Sequence, residues 1–492
     1  MAANFRLTLS CGFLAALLTL GACVNQQKDV GSYRNIVDAG LPRPKSYQLG
    51  ETLSLSRALA LANEDNEQIG LNGENYLQAL LAKNRALAAF IPTVTLSPDY
   101  TIEQAPRNGT TSAGPVTPAA ESVAASSGGY VVRGSTWQRT EVPVVGAMNL
   151  SVASYPTVLS ADQIIEQQKQ LLLDAQATIL LNVAQAYYQV LRSEAQVEVL
   201  EQSLQVQQAR LQDAQNRFNN KLALALEVSQ TRAQVASTQV DLTQAENDVR
   251  NGRRTLAFLI GVPAVDGPLV DDVIIPGQLP PVDEFRQLAA AHRQDLLAAD
   301  AALRAARDDV DTAFAQYYPS VSIDVSGFLY RQYYTDASKW DALLIGNLPL
   351  FSAGVIEADV RTAWSRLRQA ALYQSYLRRQ IDQDVQNGYD TLLTSQQEIM
   401  DLNTEVQAGA DALRQSEELL KNGLAIPLDV LTAQQTLLDA QLNYTSASFD
   451  RTVFYLDLLR STGDLNPRTP EHWLNATTQP ASMPTTTPAT MP

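Results

Sequence analysis

From about Ala161 to Phe218 the chain runs roughly 58 residues without a proline or glycine, about 85 Å of unbroken helix at 1.5 Å per residue. From about Val355 to Asn422 it does so again for roughly 68 residues, with Gly388 and Gly409 as the only weak points, or about 100 Å. No compact globular core needs helices this long, so the fold is expected to be extended and mainly α.

The two runs belong to a chain written twice. Tyr187 recurs as Tyr389, Leu200 as Leu402, Leu226 as Leu428, Val228 as Val430 and Gly261 as Gly463, each 202 residues on. Pro92 recurs as Pro319, 227 residues on, so the first copy carries 25 extra residues, which fall in the Gly/Ser/Ala-rich segment from about Arg107 to Gly129. That segment reads as a long loop. Each copy opens with a helix, Leu53 to Phe90 and about Glu284 to Tyr317, the first capped by Ser54. Pro92 and Pro319 stop these helices, and strands follow. Val321, Ile323 and Val325 alternate with Ser320, Ser322, Asp324 and Ser326, a pattern that fits either a half-buried strand or the wall of a membrane barrel. Returning strands are expected near Val142 to Val152 and Trp340 to Leu350. Each long helix then turns through a tip, Asn219 to Ala225 or Asn422 to Pro427, into a helix of roughly 35 residues. The opening and closing helices together match the long one in length, so stacking them end to end beside it is the economical packing.

Composition narrows the function. A net charge of −16 without a basic stripe argues against nucleic acid. Two distant histidines, His292 and His472, and two cysteines, Cys11 and Cys23, supply no metal site, cofactor site or catalytic triad, so no enzyme is expected. Arg6 precedes an apolar run from Leu7 to Leu20 that ends in Leu20-Gly21-Ala22-Cys23. This is the layout of an export signal, too short for a confident membrane span, and its end resembles the lipobox of bacterial lipoproteins. On that resemblance residues 1–22 are removed, Cys23 takes a covalent lipid, and Val24 in place of Asp directs the chain to the outer membrane. Residues 23–47 read as a lipid-anchored tether, 48–262 and 284–465 as the two repeats, 263–283 as their linker, and 466–492 as a disordered Thr/Pro-rich tail.

The order of signal, lipobox, opening helix, strand pair and long helical hairpin, stated twice, resembles the TolC family of outer-membrane efflux ducts, in its lipoprotein branch. The residues that carry the likeness are Thr52-Leu53-Ser54-Leu55 with Ala58 and Ala62, the strands led by Pro92 and Pro319, Leu348-Pro349-Leu350-Phe351 with Gly354, and Gly423-Leu424 with Leu428-Asp429-Val430-Leu431. The resemblance implies a homotrimer in which each chain gives four strands to a twelve-stranded barrel and its helices to an α-helical tunnel in the periplasm of a Gram-negative bacterium. It also implies an outer-membrane channel of a tripartite efflux system, partnered by a periplasmic adaptor and a proton-driven inner-membrane pump, exporting small molecules such as drugs or metal ions. Asp429 matches an acidic ring at the narrow periplasmic end, where three carboxylates would attract cations and repel one another; it could equally serve its own helix N-terminus. Glu227 is its first-copy counterpart. Lys221, Leu222, Ala223, Gly423, Leu424 and Ala425 match the tips on which adaptor hairpins dock. The chain departs from the family at Lys221, where Gly is usual, and at Leu419-Leu420, where Arg and an aromatic are usual. Two other functions fit the same elements: a type I protein-secretion duct, and a non-conducting periplasmic coiled-coil scaffold.

Overall fold

A computed structural model describes residues 26–38, 44–104, 136–277, 279–331 and 339–466. Cys23, the signal, the segment 107–129 and the tail beyond 466 lie outside the described residues. In order the elements are α1 (Gln26–Val37), β1 (Leu53–Ser54), α2 (Leu55–Asp65), α3 (Glu67–Ala88), β2 (Thr93–Leu96), β3 (Asp99–Gln104), β4 (Thr136–Ser151), α4 (Ser154–Asn219) and α5 (Ala225–Leu259). The second half follows with β5 (Leu269–Val270), α6 (Val282–His292), α7 (Gln294–Ala315), β6 (Ser320–Arg331), β7 (Trp340–Asn347), α8 (Val355–Lys421) and α9 (Pro427–Thr462). The long helices α4 and α8 hold 66 and 67 residues, and the short ones 35 and 36. No described helix is long and apolar enough to cross a membrane. The chain separates into two compact units, one of residues 1–80, 163–303 and 369–492, the other of residues 81–162 and 304–368.

The first unit is helical. Ser54 caps α2 by accepting the Arg57 N–H at 3.2 Å, and Asp272, from the segment joining the repeats, accepts the N–H groups of Leu55 and Ser56 at 3.2 and 3.3 Å. The residues between the repeats are therefore part of the body: Val265 is buried, and β5 pairs with β1 in parallel. Tyr187, from the middle of α4, receives the Val270 N–H at 2.9 Å and donates to the Leu53 carbonyl at 2.7 Å. Its core neighbours include Leu59, Leu180, Ile260 and Leu456, and burial holds its phenol well above the ordinary value.

Neither opening helix is continuous. The first breaks at Asn66 and the second at Arg293, both in extended backbone (ψ 121° and 117°). The cause is the end of another helix. α5 and α9 both finish on a left-handed glycine, Gly261 (φ 73°) and Gly463 (φ 80°). A Cβ on Gly261 would lie 2.7 Å from Asp65 Cβ, and one on Gly463 2.7 Å from the His292 carbonyl. Each short helix thus ends against the break in its opening helix. Asn66 binds the arriving end by donating to the Leu259 carbonyl at 2.9 Å. Arg293, only 6% exposed, instead bridges Asp295 and Asp384 at 3.0 and 3.1 Å. Beside it Arg460 pairs with Asp174, whose carboxyl burial raises above the usual range.

Residues 26–37, part of the expected tether, form α1 docked on this body. Tyr33 and Val37 are buried with Ile69, Leu172 and Ile179, and Gln176 donates to the Val37 carbonyl at 2.8 Å. Tyr33 seats on Gly73, where any Cβ would meet its ring at 2.3 Å. Docking rests on two apolar side chains, one glycine and a few hydrogen bonds, among them Arg34 to the Asn63 carbonyl at 3.0 Å, too few to register in the composition of the segment.

The second unit is built around one antiparallel sheet. β4 pairs with both β2 and β3 on one side and with β6 on the other, and β6 pairs with β7. Each repeat therefore gives a strand pair, the first split at Ser97-Pro98, and the β4–β6 ladder joins the repeats with Leu150 opposite Val321 and Met148 opposite Ile323. Exposure along β6 is inverted relative to a half-buried strand. Val321, Ile323 and Val325 are exposed, whereas Ser320, Ser322, Asp324 and Ser326 are half-buried. On the apolar side Ile323 neighbours Leu344 of β7, which is 70% exposed.

Candidate functional site at the hairpin tips

Each hairpin turns on one left-handed residue. At the second tip this is Gly423 (φ 71°); at the first it is Lys221 (φ 61°), 202 residues earlier. Both close with the same pair of backbone bonds: Leu222 N–H to Arg217 and Lys221 N–H to Phe218, then Leu424 N–H to Leu419 and Gly423 N–H to Leu420. This is the helix-terminating arrangement that glycine serves best. A lysine there carries about 1 kcal/mol of strain, so Lys221→Gly is expected to stabilise the first tip by about that amount. Slower proteolytic nicking between residues 218 and 225 would check it, and unchanged nicking would count against the strain.

The acidic pair separates into two environments. Asp429 is exposed on the first turn of α9, where its Oδ2 accepts the Ile426 N–H at 3.0 Å, so it does serve its helix N-terminus. It has no basic partner among the described residues. Glu227 is drawn in: its side chain is 12% exposed and pairs with Arg217 at 3.1 Å. The residue equivalent to Arg217 in the second repeat is Leu419, so the second repeat places no cation there for Asp429. Parity in sequence placed the two carboxylates together; the arginine ten residues upstream of Glu227 was the signal that they differ.

The tips are apolar. Leu222 is 71% and Leu424 75% exposed, while Ala223 and Ala425 are half-buried beside them. Sequence reasoning stopped there and missed Leu224 and Leu226 with their equivalents Ile426 and Leu428, all exposed. The alternating pattern, present at both tips 202 residues apart, was the available sign. Six large apolar side chains held in water at two rigid turns form a surface suited to a partner. Between the hairpins, Arg210 pairs with Glu417 and Gln234 donates to Gln435 at 2.5 Å.

The chain is similar to known proteins. The profile of the family described as outer membrane efflux protein matches residues 158–262 and 285–464, more than half of the chain. The cation efflux system protein CusC of Escherichia coli O6:H1 is 21% identical over 304 residues, covering 58% of this chain and 63% of CusC. The toluene efflux pump outer membrane protein TtgC of Pseudomonas putida is 26% identical over 280 residues, covering 54% of this chain and 56% of TtgC. The chain thus spans less than two thirds of the length of these relatives. Among solved structures the outer-membrane channel OprN has the same fold, with a TM-score of 0.72 at 18% identity over 87% of this chain and 95% of OprN.

Proposed function

Because the chain belongs to the outer membrane efflux protein family, we propose that three copies form the outer-membrane duct of a tripartite efflux system and conduct small molecules passively. The observation that carries this reading is the sheet. Along β6 the apolar side chains Val321, Ile323 and Val325 are exposed while its serines and aspartate lie on the opposite side, the sidedness of a wall with lipid on one side and water on the other. Among the described residues no further strand pairs with its outer edges, at β2 and β3 and at β7, and an open edge is not sustained within lipid. Closure with two further copies gives twelve strands and no edge.

The remaining parts complete the reading. Signal residues 1–22 are removed, Cys23 carries the lipid, and α1 ties the anchored terminus to the body in the outer membrane. The helices form a periplasmic tunnel, and the apolar tips receive a periplasmic adaptor that links the duct to a proton-driven inner-membrane pump. Cations, or small organic molecules such as toluene, are the cargo classes in keeping with the names of CusC and TtgC; drugs belong to the second of these classes. Three Asp429 carboxylates about the threefold axis form a cation-attracting constriction.

Single-channel recording in planar bilayers, with the oligomer mass of the same sample, tests the reading. Trimers giving small cation-selective steps are expected; a stable monomer without steps would overturn the duct in favour of a scaffold. Asp429→Ala is expected to raise conductance and weaken cation preference, and unchanged values would remove Asp429 from the constriction while leaving the duct in place.

A further inference from the structure

We propose that the chain's own C-terminal segment, with Trp473 as its anchor, fills a cavity in the second repeat that corresponds to the seat of α1 in the first. That seat is formed by α2, α3 and α4. Ile69 and Ile179 pack with Tyr33 and Val37, Gly73 receives the Tyr33 ring, Gln176 donates to the Val37 carbonyl at 2.8 Å, and Arg34 donates to the Asn63 carbonyl at 3.0 Å. The second repeat supplies the same helices, with α6 and α7 lying 227 residues beyond α2 and α3, and α8 in register with α4 at 202. Carried across, Asn63, Ile69 and Gly73 become Ala290, Leu296 and Asp300, while Gln176 and Ile179 become Arg378 and Ile381. All five of these residues line one cavity of about 430 Å³. Among the described residues no helix covers it as α1 covers its counterpart.

Two observations select the occupant. The described chain ends beside the cavity: Gly463 abuts His292, Asp464 pairs with His292 Nδ1 at 2.9 Å, and Ala290 and Leu296 of the cavity wall stand two residues before that histidine and four after it. Trp473 lies seven residues beyond Asn466, a reach of up to roughly 24 Å in extended chain. It is the only Phe, Tyr or Trp from residue 467 to 492, and Leu474 follows it. The second observation is the chemistry of the wall. Leu296, Ile381 and Val385 give an apolar floor, but where Gly73 lets the Tyr33 ring lie flush the second repeat has Asp300, which accepts from Gln374. A carboxylate accepts more than one hydrogen bond, and an indole N–H only donates. A tryptophan can therefore bury its ring on the floor and give its N–H to Asp300. Arg378, 3.8 Å from Asp300, stands where Gln176 holds the Val37 carbonyl, and its guanidinium can hold a carbonyl of the tail in the same way or the carboxylate of Glu471.

The test reads whether the tail shields the cavity. Ala290 is exposed, so Ala290→Cys places a thiol on the cavity wall without disturbing the helix. In the full chain, maleimide labelling of that thiol, read by peptide mass at residue 290, is expected to be several-fold slower than in the same variant carrying Trp473→Ala or ending after Asn466. Circular dichroism should show the same helix content in all three. Equal rates, whether fast or slow, would overturn the seat. A second arm pairs Ala290→Cys with His472→Cys, which leaves Trp473 in place, and oxidation is expected to join the two positions within one chain. A link between chains would overturn the assignment to the chain's own tail, and the absence of any link would put residue 472 away from the cavity and overturn the proposal.

Discussion

Gly463→Ala is expected to destabilise the helical body by about 2–4 kcal/mol, whereas Gly423→Ala, in the same backbone conformation, should cost only about 1 kcal/mol. Both glycines are left-handed, at φ 80° and 71°, so any Cβ carries the conformational cost at either position. They differ in what surrounds them. Nothing lies within 4 Å of a Cβ built on Gly423, while one on Gly463 would meet the His292 carbonyl carbon and oxygen at 2.7 Å and Arg293 Cα at 2.9 Å. Those are backbone atoms at a helix break, and they cannot rotate away as a side-chain end can. Relief requires α9 to withdraw from the break, which would disturb Arg293 and its bridges to Asp295 and Asp384. Thermal unfolding followed by circular dichroism of the three proteins, with proteolysis near residue 293 as a local reading, checks the prediction. Equal shifts for the two variants would show that the close approach does not govern stability.

That helix break also marks what the sequence could and could not disclose. The long helices were legible because their length and lack of proline or glycine leave no other conformation, and observed ends at Asn219 and Lys421 lie within one residue of those expected. The Ser54 cap was legible because capping is local. The breaks at Asn66 and Arg293 were not, since neither residue stops a helix by itself; each coincides with the close approach of Gly261 or Gly463, 195 and 170 residues further along the chain. The docking of α1 was hidden for the same reason, because its receptor is the missing Cβ of Gly73 on another helix. At the tips, the repeat located both acidic residues, but the pairing of Glu227 with Arg217 depends on two side chains meeting across a turn. Local rules thus gave the elements and the repeat. Contacts between elements decided which of two equivalent carboxylates is free of a cation.

Strand sidedness was the point on which pattern alone left two readings, and it supports the second large prediction. Val325→Arg is expected to leave the helices folded yet abolish channel formation, while Ser326→Arg on the same strand should still give channels, with altered ion preference. Val325 lies near the middle of β6 and faces Gly146 of β4 and Ala342 of β7, neighbours too small to shield a charge. An arginine facing lipid costs roughly 2–4 kcal/mol at the bilayer midplane, and three copies would each carry that cost in one barrel. Ser326 faces Val145 and Asp341 on the other side, where a lumen would hydrate the guanidinium and the aspartate would oppose its charge. Circular dichroism reports the helices, membrane fractionation reports insertion, and bilayer recording reports conduction. If the sheet were the half-buried wall of a water-soluble scaffold, Val325→Arg would be the mild change, because Val325 is already exposed, and Ser326→Arg the damaging one. The two architectures therefore predict opposite rankings of adjacent residues, so the ordering decides between them even if neither substitution has its full expected effect.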